Sequence, residues 1–430
     1  MKKPSAIIVI LIFMALTLNA LPLFAGGPIL VDTDLTGEAV LWQNGVVHYN
    51  LESGPNATLG ILTNDEATTL VRDLFDDWKN TTINGIDTVS LTLIEGTPLG
   101  SVDIDNLDQH FAYCPPDKDC PTDSPPFILG SAQSGESPIV FDSDGSITDA
   151  INGEGSSENV LGFAGPRVVN REDGILYITE GQAVLNGKFI DGVETDSNPE
   201  VSIDQFKGAI FHEIGHFLGL DHTQVNMGSV LKYFNGDTSE KEGIPTMFPI
   251  FIDGEAQLSA HYDDKVSIST LYPSENFHSS FCQLSGVTFK IDGKTELQGV
   301  NVLASAEEDP NGETTSAVSG SFYTGSNSKC SLPVGDFTIS GLIPGKLYEL
   351  SFEPINRAFT GGSSLEPCNP PQKGFAADTL PGSFSCSVGG EIITTGTETT
   401  SQVVTSKDIE IPQSTSSKSG ESGGCSLIPE

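Results

Sequence analysis

Residues 212–222 read His-Glu-Ile-Gly-His-Phe-Leu-Gly-Leu-Asp-His, the pattern H-E-x-x-H-x-x-G-x-x-H. Its spacing sets local structure and chemistry together. His212 and His216 stand four apart, so on a helix they project from one face, one turn above the other. Two imidazoles placed in this way can reach one tetrahedral zinc at about 2.0–2.1 Å. Glu213 lies between them, rotated toward the side where a water on that metal would sit. Gly219 can leave the helix in the left-handed conformation that other residues resist. The chain can then turn back and deliver His222 as a third ligand. Three protein ligands leave a fourth position open, which distinguishes a catalytic zinc from a structural one. A bare H-E-x-x-H arises by chance, but here five positions are fixed and three of the chain's seven histidines fall in this stretch.

The flanks agree. Ser202 and Gln205 have the spacing of a capping box at a helix start. Phe206, Ile210, Ile214, Phe217 and Leu218 make an apolar stripe, with His212 and His216 on another face. The expectation is a helix anchored by one side that offers ligands from the other. Downstream, residues 244–249 read Ile-Pro-Thr-Met-Phe-Pro.

Motif and turn together resemble the metzincin clan of zinc endopeptidases, and within it the matrixins. The resemblance implies a Met-turn with Met247 beneath the metal. The chain departs from the matrixin pattern in two places, with Phe248 where Tyr is frequent and Thr223 where Ser is usual. Further likeness lies at the level of pattern. Residues 42–49 resemble the first strand of a matrixin-like domain, and residues 65–78 its first helix, with apolar spacing at Leu70, Val71, Leu74, Phe75 and Trp78. Residues 259–273 resemble the closing helix. Residues 162–166 are expected in the strand that lines the substrate cleft, and those around Phe248 to Ile250 in the wall of a specificity pocket. The implied fold is α+β, a twisted mixed sheet carrying the zinc-site helix. The implied activity is hydrolysis of protein or peptide substrates, with His212, His216 and His222 as zinc ligands and Glu213 as general base.

Such domains usually bind structural calcium as well. Asp142, Asp144 and Asp149 place carboxylates around a Gly145 turn, and Asp191, Glu194 and Asp196 precede the zinc helix; these are the calcium candidates. In so acidic a chain, solvated loops are the competing account of both clusters.

Among the 430 residues, Asp plus Glu number 58 against 20 Lys plus Arg, a formal net charge of −38. That charge repels phosphate, which argues against nucleic acid or an anionic membrane surface as partner. Lys2 and Lys3 precede an apolar run over residues 6–18, and Leu23-Phe24-Ala25 offers a cleavage site, so residues 1–25 read as a secretory signal. No stable membrane span is expected in the mature chain. The seven cysteines fit an exported protein. Cys114 and Cys120 are the nearest pair, while Cys282, Cys330, Cys368 and Cys386 admit three pairings and Cys425 is left over. No matrixin-like pro-segment cysteine motif is found, so latency by that route is not expected.

Residues 26–275 read as the catalytic domain. From residue 283 the helical period gives way to the strand period of two at Val287-Phe289-Ile291, Val300-Val302 and Phe337-Ile339, with turns at Asp292-Gly293, Asn311-Gly312 and Pro344-Gly345. Residues 283–411 resemble a carboxypeptidase-regulatory or Cna-B type β-sandwich, an all-β accessory domain without a catalytic constellation. Residues 412–430 are Ser/Gly-rich and expected to be flexible. Within them, residues 423–427 resemble the start of a cysteine-centred C-terminal sorting signal of Gram-negative bacteria, which would attach the protein to a cell surface; the usual apolar helix and basic cluster do not follow.

The sequence is therefore read as a secreted zinc endopeptidase. Two alternatives stand beside it: an acidic surface or adhesion protein whose metzincin-like domain is inactive, and a closed zinc module with a fourth protein ligand, for which His261 is the nearest downstream histidine.

Overall fold

A computed structural model describes residues 27–32, 38–54, 56–99, 104, 135–194, 200–252, 256–290, 294–320, 335–355, 377–380, 382–387, 391–398 and 424–427. The signal segment, Cys114, Cys120, Asp196, Cys330 and Cys368 lie outside them. The first strand expected over 42–49 is in fact two, β1 (Leu41–Trp42) and β2 (Val46–Leu51), parted by a single 3-10 turn. The cause is local: Asn44 and Gly45 take φ of 56° and 67°, which no strand accommodates. Helix α1 (Asn64–Lys79) follows, started by a capping box between Thr63 and Glu66 and burying Val71, Leu74, Phe75 and Trp78.

A short hairpin, β3 (Thr82–Ile83) and β4 (Ile86–Asp87), leads to β5 (Thr92–Glu95) and β6 (Pro138–Asp142). After α2 (Ser146–Asn152) come β7 (Val160–Glu172) and β8 (Ile175–Asn186). Their two-residue Asp173-Gly174 turn has positive φ at both positions, the hairpin geometry that matches strand twist. The sheet runs β5-β2-β6-β8-β7. Pairing along this run is parallel from β5 through β8 and antiparallel between β8 and β7. Alternation assigns its faces. Ile139, Phe141, Ala183 and Leu185 join the main core under α1, whereas Val140 and Val184 join Ile147 and Ile151 of α2 in a smaller cluster.

Helix α3 (Ile203–Phe217) carries the motif and packs on β7, β8 and α1. Then come α4 (Met227–Phe234), β9 (Ile250–Phe251), α5 (Tyr262–Leu271) and α6 (Glu275–Ser280). From Cys282 onward the chain is built of strands: β10 (Cys282–Phe289), β11 (Val300–Ala306), β12 (Thr314–Val318), β13 (Asp336–Leu342), β14 (Tyr348–Pro354), β15 (Asp378–Thr379), β16 (Glu391–Glu398) and β17 (Gly424–Leu427). Strands β13-β10-β16 form one sheet and β12-β11-β14-β15 another. The two share a buried cluster that includes Leu284, Val300, Val302, Phe337, Ile339, Tyr348 and Phe352. A disulfide joins Cys282 to Cys386 across that cluster. The whole is consistent with an α+β organisation, and no helix among the described residues is long and apolar enough to cross a membrane.

Two departures concern how the parts meet. The strand unit is joined to the first by shared apolar clusters, Ile355 with Val230, Ile244 and Phe248, and Ile343 with Tyr262, Val266 and Phe277. Hydrogen bonds add to them, from Tyr262 Oη to the Gly341 carbonyl (2.7 Å) and from the Ser316 amide to Asp263 Oδ1 (2.7 Å). The second departure is β17, which lies in the stretch expected to be flexible yet pairs between β7 and β9, extending the first sheet. Both neighbours would otherwise present unpaired backbone edges, which are ready templates for an added strand.

Candidate metal centre

The Ser202 hydroxyl accepts from the Gln205 amide (3.1 Å) and the Gln205 side chain accepts from the Ser202 amide (2.9 Å), closing the capping box that starts α3. The helix is anchored on its apolar side and brings His212 and His216 together on another, and from Gly208 to Phe217 every residue is buried. The helix is embedded because Trp78 stacks on Phe211 and its Nε1 donates to the Phe211 carbonyl (2.9 Å). Trp42 Nε1 donates to the Phe217 carbonyl (3.0 Å), and Tyr272 Oη to that of Leu218 (2.6 Å). Trp42 and Tyr272 thus satisfy carbonyls at the helix end that would otherwise be left unpaired in the core, while Trp78 adds a second donor to a carbonyl within the helix.

At Gly219 the backbone takes φ 99° and the chain reverses, with the Leu220 amide donating to the Gly215 carbonyl (2.9 Å). His222 is thereby returned to the helix. Its Nε2 lies 3.1 Å from Nε2 of His212 and 3.0 Å from Nε2 of His216. Tetrahedral zinc with 2.0–2.1 Å bonds requires about 3.3 Å between ligand nitrogens, so the cluster has the scale of one metal ion. His212 Nδ1 lies 2.6 Å from the Thr246 carbonyl and His216 Nδ1 2.8 Å from that of Leu220. A carbonyl only accepts, so both Nδ1 atoms carry the proton and both Nε2 atoms present lone pairs to the same point. Burial holds the rings neutral: His212 is pushed down to about 3, His216 to about 4, and His222 well below its ordinary value. Converging lone pairs in a site without a positive charge repel one another. A cation relieves that repulsion, and these three residues can hold a metal ion.

Met247 is 1% exposed. A Cβ added to Gly215 would stand 2.4 Å from Met247 Sδ, so the methionine packs directly on the backbone between the two helical ligands. The turn that carries it is fixed by Asp264, which sequence reading missed. Asp264 Oδ2 accepts from the amides of Thr246 (2.8 Å) and His261 (2.7 Å), and Oδ1 from the Met247 amide (3.1 Å). The signal was present in the helix-start spacing His261-x-x-Asp264. Burial and the neighbouring Asp263 push Asp264 up to about 7, and burial pushes Asp263 up to about 6. His261, the candidate fourth ligand, is elsewhere: it caps α5 and its Nε2 lies 3.0 Å from the Asn311 carbonyl.

Glu213 is buried against β7, where a Cβ on Gly162 would stand 3.3 Å from Glu213 Cγ. Residues 162–166, expected in a strand, lie in β7, and Gly162 is the one set against Glu213. Among the described residues only the three histidines gather as a ligand group, so Asp142, Asp144 and Asp149 form none there. Asp196 of the second calcium candidate lies outside the described residues. Asp142 accepts from the amides of Ile147 (3.2 Å) and Thr148 (2.7 Å), capping α2. Asp144 accepts from the Ser146 amide, Asp149 from that of Ser157 and Asp191 from that of Val193. These carboxylates are turned to local backbone donors, and Glu194 joins no ligand group. No family model matches the chain, and no curated protein matches it.

Proposed function

We propose that this protein is an exported zinc-dependent endopeptidase of the metzincin type, built as a catalytic α+β domain with a β-sandwich appendage. One observation carries the reading: three buried imidazoles converge through Nε2, two of them with Nδ1 committed to backbone carbonyls. Zinc bound there supplies the Lewis acid that polarises a scissile carbonyl and acidifies water. Glu213 follows His212 directly on α3 and takes the proton of the attacking water, then hands it to the leaving amine. Met247 supports the ligand helix from below, and Asp264 positions Met247. A peptide can lie extended along β7, pairing as an added strand. The mixed sheet beside the motif helix supports the metzincin reading. The two sheets sharing one core support the sandwich, and the Cys282–Cys386 disulfide supports export to an oxidising compartment.

The test is Glu213→Ala. It should bind one equivalent of zinc as the native chain does, while cleavage of casein or a quenched peptide library falls about 10²–10⁴-fold. Native cleavage should also stop on chelation. Undiminished hydrolysis by the variant removes Glu213 as base, and a native chain that binds no zinc removes the reading altogether.

A further inference from the structure

Strand β17 lies between β7, which borders Glu213, and β9, which follows the turn that carries Met247. Antiparallel to β7, Gly424 pairs with Phe163, Cys425 with Gly162 and Ser426 with Val160. Parallel to β9, Ser426 pairs with Ile250 and Leu427 with Phe251. It also packs on α3, the helix that carries Glu213 and two of the histidines. Gly162 is the residue whose Cβ would stand 3.3 Å from Glu213 Cγ, and β9 begins three residues after Met247. A backbone in extended form is thus already laid across the site in the place an extended peptide would have to take.

We infer that residues 424–427 are an intramolecular occupant of this strand-docking groove, and that the chain excludes substrate by its own C-terminal segment until that segment is displaced. The inference rests on the peptidase reading above. Its physical basis is addition of a strand to two open backbone edges, made effective by tethering. A tethered segment acts at about millimolar effective concentration, so one that binds with about 0.1 mM affinity raises the apparent KM about ten-fold. Such occupancy also requires no change in kcat, because the open form is the same enzyme.

The experiment compares the full zinc-loaded chain with one ending after Gly423, and with the full-length variant Ser426→Pro, whose proline disfavours ladder pairing while keeping the chain length. Amide hydrogen exchange at residues 160–163 and 250–251 should accelerate in both altered chains. Apparent KM for a quenched peptide should fall about ten-fold with kcat unchanged, and a synthetic Gly-Gly-Cys-Ser-Leu-Ile-Pro peptide should inhibit the truncated chain competitively. Equal exchange in all three chains overturns the docking. Accelerated exchange with an unchanged KM overturns the competition. Failure of the peptidase reading looks different: no chain cleaves, yet exchange still accelerates on truncation, which retains the docked strand and overturns its inhibitory role.

Discussion

At the scale of single residues the site depends on one position that its motif leaves unspecified. The gathering of the three histidines was legible because i, i+4 spacing has only one helical meaning and a glycine just past the helix has a conformational one. Gly215 sits at an unspecified place in the pattern, and what demands glycine there is Met247, which lies 32 positions away in the chain (247 − 215). No periodicity announces such a contact. Gly215→Ala would set its Cβ 2.4 Å from Met247 Sδ and 3.2 Å from Trp78 Cζ2. Met247 is 1% exposed and Trp78 fully buried, so neither can swing into solvent. The substitution should cost about 1–3 kcal/mol through overpacking and weaken metal binding by tilting the ligand helix. In a Met247→Ala background the same change should cost clearly less, because the thioether is gone. Urea unfolding of the four chains checks this; equal costs in both backgrounds would show that the two residues do not compete for space.

At the scale of elements, the helices were readable and the short strands were not. The first helix, expected over 65–78, spans Asn64–Lys79, and the capping box of α3 starts where Ser202 and Gln205 place it. Amphipathic spacing and caps are local, so the sequence carries them. Strands β9 and β17 are two and four residues long, and their order comes from partners far along the chain. The start of α5 shows a third case, a helix terminus doing work for a distant turn. Its two carboxyls, Asp263 and Asp264, are pushed up to about 6 and about 7 by burial, with mutual repulsion adding for Asp264. Groups raised in the folded state bind protons more tightly there than when unfolded. Their contribution is therefore full below about pH 4, the ordinary carboxylate range, and declines as pH rises through 6 to 7. Asp263→Asn removes one of the two. In the metal-free protein, the stability of the native chain relative to this variant should fall between pH 4.5 and 7, by up to about 1.4 kcal/mol per pH unit. A difference that stays level, or grows with pH, would mean that the amide donors around the pair outweigh its burial.

At the scale of the whole molecule, the net charge of −38 is spread over two units that nonetheless share buried surface. The sequence announced the change of period near residue 283, yet it gave no sign of how tightly the second unit is seated. Asn311 makes the point: the sequence offers it as a turn residue, and in the fold it is a node. Its carbonyl accepts from Asn226 Nδ2 (2.8 Å), its Nδ2 donates to the Glu240 carbonyl (3.1 Å) and its Oδ1 accepts from the Ser229 hydroxyl (2.9 Å). Such seating should make the two units unfold together. The chain is conveniently built to test it, because both tryptophans, Trp42 and Trp78, lie in the core of the first unit while the Cys282–Cys386 bridge closes a separation of 104 residues in the second. Replacing both cysteines by alanine should cost about 2–5 kcal/mol. If the units are coupled, that loss appears in tryptophan fluorescence, and the denaturant midpoint of the first unit shifts together with that seen by far-ultraviolet circular dichroism. A fluorescence midpoint that stays in place while the dichroism transition splits in two would show that the shared clusters do not bind the units into one cooperative fold.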